Sequence, residues 1–313
     1  MDALQSGIGL YLTVLFATAL FFIGLYRARR MEKREQELLG VAVVAGALLF
    51  AYEHTSGLDL LLLCVGIVNF NGLLSDKSPK IRMGYVLVSA VYITAIHWIG
   101  FKLIAQAMLL GILSVITRLK QYRNRIENKR VELSRDLFHM GAGVFLMLVF
   151  MFESEPVAVT ALMLMILGGI LAICITEMFK DNPISNVVMG LERGGAALGY
   201  GALWLALGSL FAVSFLNTTN VLVVFAAIFI GDPIATIIGI HFSKAKLPWN
   251  RRKSVAGTVS YFFAATIISF FLIGNYAVII GLVGAMVESL RIKVDDNFSV
   301  SVILTALLLM LGI

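Results

Sequence analysis

The chain has 313 residues, of which 59% are hydrophobic and only 14% are charged, and its mean hydropathy is +0.92. This composition excludes a soluble enzyme or a soluble binding module. Apolar runs of about 17–25 residues, separated by short polar loops, predict an all-α, polytopic membrane protein embedded in a lipid bilayer.

The net charge of +6 is spread unevenly, and its distribution predicts the orientation. Basic residues cluster in alternate loops, whereas the loops between them contain a single lysine, Lys102. The positive-inside rule places the basic loops in the cytoplasm and predicts about twelve spans with the N-terminus outside. The basic loops lie at residues 27–34, 77–82, 118–135, 180–193, 244–253 and 291–293.

The first part of the chain holds little recognisable chemistry. Spans are predicted at residues 7–26, 38–52 and 58–74, and the last of these contains Asn69 and Asn71, amides that usually bond across helices. The loop at 118–135 is the most basic segment, but it is too short to present a nucleic-acid-binding domain. We therefore exclude nucleic acid as a partner and expect a surface helix that faces anionic lipid or nucleotide.

The segment ELSRDLFHMGAG follows this loop and carries charge into the cytoplasmic end of a span. On a helix, four of its residues share one face by their i, i+3, i+4 and i+7 spacing, namely Glu132, Arg135, Asp136 and His139. Such groups are costly in a membrane unless they are paired or functional. A structural ion-pair cluster and a contact with phosphate or substrate both remain open.

Further along, Glu177, Glu192 and Arg193 lie where two spans meet the cytoplasm. Glu192 and Arg193 either cap the following span or contribute to a site. The next span contains Gly231-Asp232-Pro233 about halfway along it, and Asp-Pro is a helix-start signature. We expect a broken helix whose second half offers free N–H groups to an anion in a cavity open to the cytoplasm. A proline kink is the alternative.

The loop after this span leads back into the membrane through Arg251-Arg252-Lys253-Ser254 and Gly257-Thr258. Lys253 is suited to act as a point charge on phosphate, Gly257 permits a close backbone approach, and Ser254 and Thr258 supply hydroxyls. The segment lacks the G-x-x-x-x-G-K-[ST] pattern and is not a P-loop. The alternative is that its basic residues only set topology.

The last polar segment contains Glu288 and, after a short basic stretch, Asp295-Asp296-Asn297. Paired acids and an amide near a membrane interface are hard oxygen donors of the kind that Mg²⁺ prefers. A solvated turn is the alternative interpretation.

The motifs singled out above are, in chain order, ELSRDLFHMGAG, Glu177, Glu192-Arg193, GDPIATIIG, KSVAGT and Glu288 with Asp295-Asp296-Asn297. Together and in this order they resemble the motifs of the CTP-dependent prenol kinase family. That family includes dolichol, phytol and farnesol kinases and a CTP-dependent diacylglycerol kinase. The resemblance spans about residues 132–300. This chain departs from the family pattern at Asp136, where a lysine is usual, and at residues 241–244, where a glycine-rich segment is usual. The chain is thereby divided into residues 1–130, spans of unassigned role with the basic loop, and 131–313, a catalytic membrane region.

The resemblance implies phosphoryl transfer from CTP to a membrane alcohol with the help of a divalent metal. We therefore predict the reaction of a polyprenol with CTP to give polyprenyl phosphate and CDP, at a site that faces the cytoplasm. The metal would be held by Asp232, Asp295, Asp296 and Asn297. The nucleotide would contact Arg135, Arg193, Gly231, Lys253, Ser254, Gly257 and Thr258. The general base would be His139 or Asp232, with supporting roles for Glu132, Glu177, Glu192 and Glu288.

Two other functions fit parts of the pattern. A cytidylyltransferase of the CDP-diacylglycerol or CDP-archaeol synthase type has motifs that GDPIATIIG and KSVAGT partly echo, and it would release pyrophosphate instead of CDP. A transporter would also contain a helix broken at mid-depth, although the sequence shows no inverted repeat.

Overall fold

A computed structural model describes residues 39, 41–43, 57–76, 78–116, 129–192, 197–242, 245–292 and 294–313. Within these residues all regular secondary structure is helical, apart from one isolated bridge between Lys246 and Ser254, which confirms the all-α class. The predicted span at 7–26, nearly all of the span at 38–52 and most of the basic loop at 118–135 lie outside the described residues.

Four helical segments are long and apolar enough to cross a membrane: Val131–Phe152, Glu155–Met178, Thr218–Phe242 and Val255–Ser289. The last of these turns back on itself at Gly274–Tyr276, where Gly274 has a φ of 59°, so its two halves form a helical hairpin. Shorter apolar helices among the described residues are Leu62–Ser75, Gly100–Ile116, Tyr200–Phe215 and Asp296–Leu311. The polytopic architecture is supported, whereas the number of about twelve spans and the outer N-terminus stay predictions.

The described residues fall into two compact units. The first contains α1 (Gly57–Ser75), α2 (Pro79–Ile116, bent at Gly100) and residues 163–178 of α4 (Glu155–Met178). Within it, the Asn69 and Asn71 amides donate to Ser89 Oγ and Ser114 Oγ, both at 2.7 Å. These bonds join α1 to α2, as the sequence predicted.

The second unit contains residues 129–162 and the described residues from 179 onward. Its helices are α3 (Lys129–Phe152), the first part of α4, α5 (Pro183–Leu191), α6 (Tyr200–Phe215), α7 (Thr218–Phe225), a π-helical turn (Ala226–Gly231), α8 (Asp232–Phe242), α9 (Val255–Ile273), α10 (Ala277–Ser289) and α11 (Asp296–Leu311). Residues 221–229 are all buried, so α7 and the π-turn form the centre of this unit, against which α3, α9 and α11 pack. The boundary predicted between residues 130 and 131 stays a functional prediction.

The prediction of a broken helix at Asp232 is wrong. Asp232 has helical dihedral angles, φ −64° and ψ −47°, and its N–H donates to the carbonyl of Ala227, five residues earlier. Pro233 has no N–H, and its ring would clash with the carbonyl of Phe229 in a regular α-helix. The π-turn widens the helix at this point and lets it continue through the proline. Asp232 is therefore an inward-facing residue of a continuous helix and not a cap.

Candidate active site

One cavity of about 500 Å³ lies in the second unit and collects most of the polar residues singled out in the sequence. Its walls come from α3, α8, the loop between α8 and α9, the end of α10 and the start of α11. Of the predicted site residues it is lined by Glu132, Arg135, His139, Asp232, Lys253, Ser254, Gly257, Thr258, Glu288, Asp295, Asp296 and Asn297. Residues more than 150 positions apart along the chain thus face one space.

Lys253 is the centre of the site. Its ammonium donates to Glu288 Oε1 and, at 2.8 Å, to Asp296 Oδ2, and it lies 3.8 Å from Asp232 Oδ1. The Glu288 side chain is only 2% exposed, so its charge is compensated by protein and not by water. We refer to Lys253, Asp232, Glu288 and Asp296 as the charged cluster.

The loop that carries Lys253 is anchored at both ends. The Leu247 N–H donates to the Lys253 carbonyl at 3.1 Å, and the Val255 N–H donates to the Ala245 carbonyl at 3.2 Å, which closes a narrow turn. The side-chain amide of buried Asn250 donates to the carbonyls of Ser289 and Leu290 at 3.1 and 3.3 Å. This turn is thereby fixed to the end of α10, next to Glu288.

Ser254 ends the loop and begins α9. Its hydroxyl accepts from the Gly257 N–H at 3.1 Å, the usual bond of a helix N-cap. A Cβ on Gly257 would lie 2.7 Å from the Ala235 carbonyl oxygen, so this glycine lets α8 and α9 approach closely. Ser254 and Gly257 therefore have clear packing roles, and their contact with phosphate stays a prediction.

The cluster is supported from behind by Tyr261, whose side chain is completely buried. A Cβ on Gly231 would lie 3.1 Å from one edge of the tyrosine ring, and a Cβ on Gly284 would lie 2.9 Å from the other. Gly231 precedes Asp232, and Gly284 is one turn before Glu288. The ring therefore sets the spacing between the helices that carry these two acids.

On α3, the predicted shared face is confirmed. Arg135 forms ion pairs with Glu132 Oε2 at 3.0 Å and with Asp136 Oδ1 at 2.9 Å. Glu132, Arg135 and His139 also line the cavity. A structural ion-pair cluster and a contact with phosphate or substrate are thus compatible, because the ion pairs hold Arg135 at the wall of the cavity.

Carboxylate oxygens of Asp232, Glu288 and Asp296 lie within 4.8 Å of one another. With the Lys253 ammonium their formal charge is −2, which a divalent cation would balance. Among the described residues, Glu288 Oε2 and Asn297 Oδ1 are buried and accept no hydrogen bond. Hard oxygen donors with unused capacity fit Mg²⁺, so the residues at this cluster could hold that ion.

The composition of this acid group differs from the one predicted. Asp232 and Asp296 are brought together, but the third acid is Glu288, for which only a supporting role was predicted. Asp295 instead caps α11, where its carboxylate accepts from the Asn297 N–H at 3.1 Å, although it still lines the cavity. An N-cap and a ligand look alike in sequence, because both are acids at the start of a helix.

Of the other predicted residues, Gly231, Glu177 and Glu192 are not part of the cavity wall. Glu192, the C-cap of α5, accepts at 2.5 Å from the N–H of Gly199, the N-cap of α6. Glu177 belongs to the first unit, where it forms an ion pair with Arg82. Arg193 lies outside the described residues. The roles predicted for these four residues stay predictions.

Two residues that position the site were missed by the sequence interpretation, namely Asn250 and Tyr261. Asn250 acts through bonds to a segment about 40 residues away, and Tyr261 through its fit between two glycines. Neither belongs to a local pattern that would reveal it.

The charge state of Lys253 follows from its surroundings. Burial lowers the pKa of its ammonium, but the carboxylates of Asp296, Glu288 and Asp232 outweigh this and raise the pKa well above the ordinary lysine value. Lys253 is therefore a permanent cation at neutral pH, suited to bind an anionic group.

Comparison with known proteins gives two curated relatives. An uncharacterised protein of Methanocaldococcus jannaschii is 28% identical over 173 residues, which cover 53% of this chain and 86% of that protein. The chloroplastic phytol kinase 1 of Arabidopsis thaliana is 31% identical over 193 residues, which cover 54% of this chain and 62% of the kinase. No family model and no solved structure matches the chain. The second match supports a resemblance to prenol kinases and, with the apolar helices, an integral membrane protein.

Proposed function

We propose that the protein is an integral membrane kinase that transfers the γ-phosphate of CTP to an isoprenoid alcohol, with a polyprenol as the acceptor and CDP as the second product. The observation that carries this proposal is the charged cluster, in which one half-buried lysine is held among three carboxylates at the wall of a cavity. The similarity to a phytol kinase points to the same class of reaction.

The reaction forms one bond and breaks one. The hydroxyl oxygen of the alcohol bonds to the γ-phosphorus, and the bond from this phosphorus to the oxygen bridging it to the β-phosphate breaks. CDP leaves with that oxygen, and the hydroxyl proton passes to a base. Such a transfer needs positioning and charge neutralisation more than covalent catalysis.

The residues of the cavity divide these tasks. Lys253 and Arg135 bind phosphate oxygens, as cations already held in place by neighbouring carboxylates. Asp232, Glu288 and Asp296 would hold Mg²⁺, which when bound neutralises charge on the phosphates. His139 lines the cavity from α3 and takes the hydroxyl proton, because Asp232 is engaged in the charged cluster.

The cavity is proposed to face the cytoplasm, where nucleotides are available. This orientation rests on the basic residues that surround the cavity, Lys246, Arg252 and Arg291, and on the positive-inside rule. The chain of the alcohol stays among the lipids while its hydroxyl reaches the charged cluster.

The proposal is tested with the purified protein in liposomes. CTP, ATP and GTP are each combined with phytol, a polyprenol or diacylglycerol, and the lipid products are separated by chromatography. We expect a phosphorylated isoprenoid alcohol with CTP. Formation of phosphatidic acid alone, or of no phosphorylated lipid with any pair, would contradict the proposal.

A matched pair of variants connects this activity to the site. Asp232→Asn keeps the size of the side chain and should lower the transfer rate about 100-fold or more, because a charge that organises the transition state is lost. Asp181→Asn removes an exposed acid of the same unit and should leave the rate unchanged. Full activity of the Asp232→Asn variant would show that the charged cluster is not the reaction site.

A further inference from the structure

Two loops form the mouth of the cavity, residues 245–252 and 290–294, and we refer to their described residues as the rim. Several of their apolar side chains are exposed: Trp249 by 58%, Leu290 by 49%, Ile292 by 44% and Val294 by 41%. All charged residues described in these loops are basic, namely Lys246, Arg251, Arg252 and Arg291. The rim thus combines exposed apolar groups with a single sign of charge.

Hydrogen bonds join the two loops, which therefore form one continuous surface. Trp249 Nε1 donates to Ser289 Oγ at 3.4 Å, and the amide of Asn250 donates to the carbonyls of Ser289 and Leu290. The exposed indole is therefore held in place while its ring faces outward. Tryptophan is enriched in environments that are apolar on one side and polar on the other, because its ring is apolar and its N–H donates a hydrogen bond.

The position of the rim supplies such an environment. The apolar segment Thr218–Phe242 ends just before it, and both ends of the hairpin Val255–Ser289 meet it. Tryptophan and basic residues at the ends of membrane spans lie at the level of the lipid headgroups. Basic clusters there are attracted to anionic lipids.

The basic residues could in principle serve the nucleotide instead. Lys246, Arg252 and Arg291 line the cavity, but Trp249 and Arg251 are not part of its wall and are exposed outside it. A nucleotide held at the charged cluster would leave these two residues without a role. Their exposure outside the cavity favours lipid phosphate as the anion.

We propose that the rim docks on the phosphate groups of anionic lipids, with Trp249 inserted at the headgroup level and Arg251 beside it. The mouth of the cavity then opens at the membrane surface and not into bulk water. An alcohol whose hydroxyl lies at the headgroups would enter sideways across the rim. This docking does not depend on the proposed reaction and is tested without it.

The first test measures where Trp249 lies. The protein is placed in nanodiscs of phosphatidylcholine and phosphatidylglycerol, and the fluorescence of the Trp249→Phe variant is subtracted from that of the unchanged protein. Lipids brominated near the headgroup should quench most of the difference signal, whereas aqueous iodide should quench little of it. Strong quenching by iodide and none by brominated lipid would overturn the proposal.

The second test separates lipid phosphate from nucleotide phosphate. Raising the phosphatidylglycerol content should shift the Trp249 emission to shorter wavelength, and Arg251→Gln should reduce that shift at least twofold. Lys180→Gln removes an exposed basic residue outside the rim and should leave the shift unchanged. If CTP produces the shift and phosphatidylglycerol does not, the rim is a nucleotide-binding surface and the proposal is wrong.

Discussion

Replacing Lys253 by methionine removes the one cation at the centre of the charged cluster while keeping a chain of similar length. Glu288 is only 2% exposed, and the Lys253 ammonium is its hydrogen-bond donor. Its other oxygen accepts no hydrogen bond from the described residues. The substitution therefore leaves a buried carboxylate without compensation.

The size of this effect follows from burial. Removing one partner of a buried ion pair costs about 3–5 kcal/mol. The Asp296 side chain is 35% exposed, so water compensates much of its loss and it adds little. We expect Lys253→Met to lower the free energy of unfolding by about 3 kcal/mol, nearly all of it through Glu288.

A double-mutant cycle isolates this pair. Glu288→Gln alone keeps an acceptor for the ammonium and removes the buried charge, so its cost should be about 1–2 kcal/mol. In the double variant the uncompensated carboxylate no longer exists, and the combined loss should fall short of the sum by about 1–3 kcal/mol. Unfolding is followed by circular dichroism during denaturant titration in mixed micelles.

The control is Lys246→Met, which removes an exposed lysine from the same loop and should change the unfolding free energy by less than about 0.5 kcal/mol. If the Lys253 and Glu288 substitutions are additive within about 0.5 kcal/mol, the two residues are not coupled. The ion pair between them would then not be what stabilises the charged cluster.

Two further predictions follow from the same cluster. Because the pKa of Lys253 is raised, its stabilising charge is fully present below the unfolded lysine pKa of about 10.4 and is lost only as pH rises through the higher folded value. The stability difference between the unchanged protein and Lys253→Met, measured by thermal unfolding, should therefore not decrease between about pH 7 and pH 9; a fall would show that Lys253 titrates there. Tyr261→Phe removes a buried hydroxyl that has no partner among the described residues, so the free energy of unfolding should change by less than about 0.5 kcal/mol. A change in the Mg²⁺ dependence of transfer in this variant would identify Tyr261 as a positioning residue. As a control, Tyr92→Phe loses a hydrogen bond to the Leu62 carbonyl and should lower the free energy of unfolding by about 1 kcal/mol without changing transfer. If Tyr92→Phe changed transfer and Tyr261→Phe did not, the positioning role of Tyr261 would be wrong.

The features of the fold and the site that depend on local geometry could be predicted from local patterns in the sequence. The helical class follows from apolar runs, and the shared face of Glu132, Arg135 and His139 follows from the pitch of one helix. The meeting of Asp232 and Lys253 at one cavity was also predictable, since Asp232 was expected in a cavity that opens on the side where the loop with Lys253 lies.

Other features depended on contacts that no local pattern records. The sequence Gly231-Asp232-Pro233 is compatible both with a helix N-cap and with a helix that continues through the proline. The helix continues because residues 221–229 are buried and a π-turn accommodates the proline. The choice of Glu288 over Asp295 depends on how α10 and α11 are aligned, and the placing of Lys253 depends on bonds from Asn250 to a distant helix end. These are tertiary outcomes, and single-sequence reasoning could not separate the alternatives.

The fate of each phosphorus atom of CTP tests the central claim most directly. The protein in liposomes that contain a polyprenol and phosphatidic acid, the acceptor a cytidylyltransferase needs, is given CTP labelled at the γ-phosphate in one reaction and at the α-phosphate in another. A kinase places the γ-label in the lipid, leaves the α-label in CDP and forms the two products in equal amounts. Appearance of the α-label in the lipid with release of pyrophosphate would contradict the proposed kinase activity and identify a cytidylyltransferase.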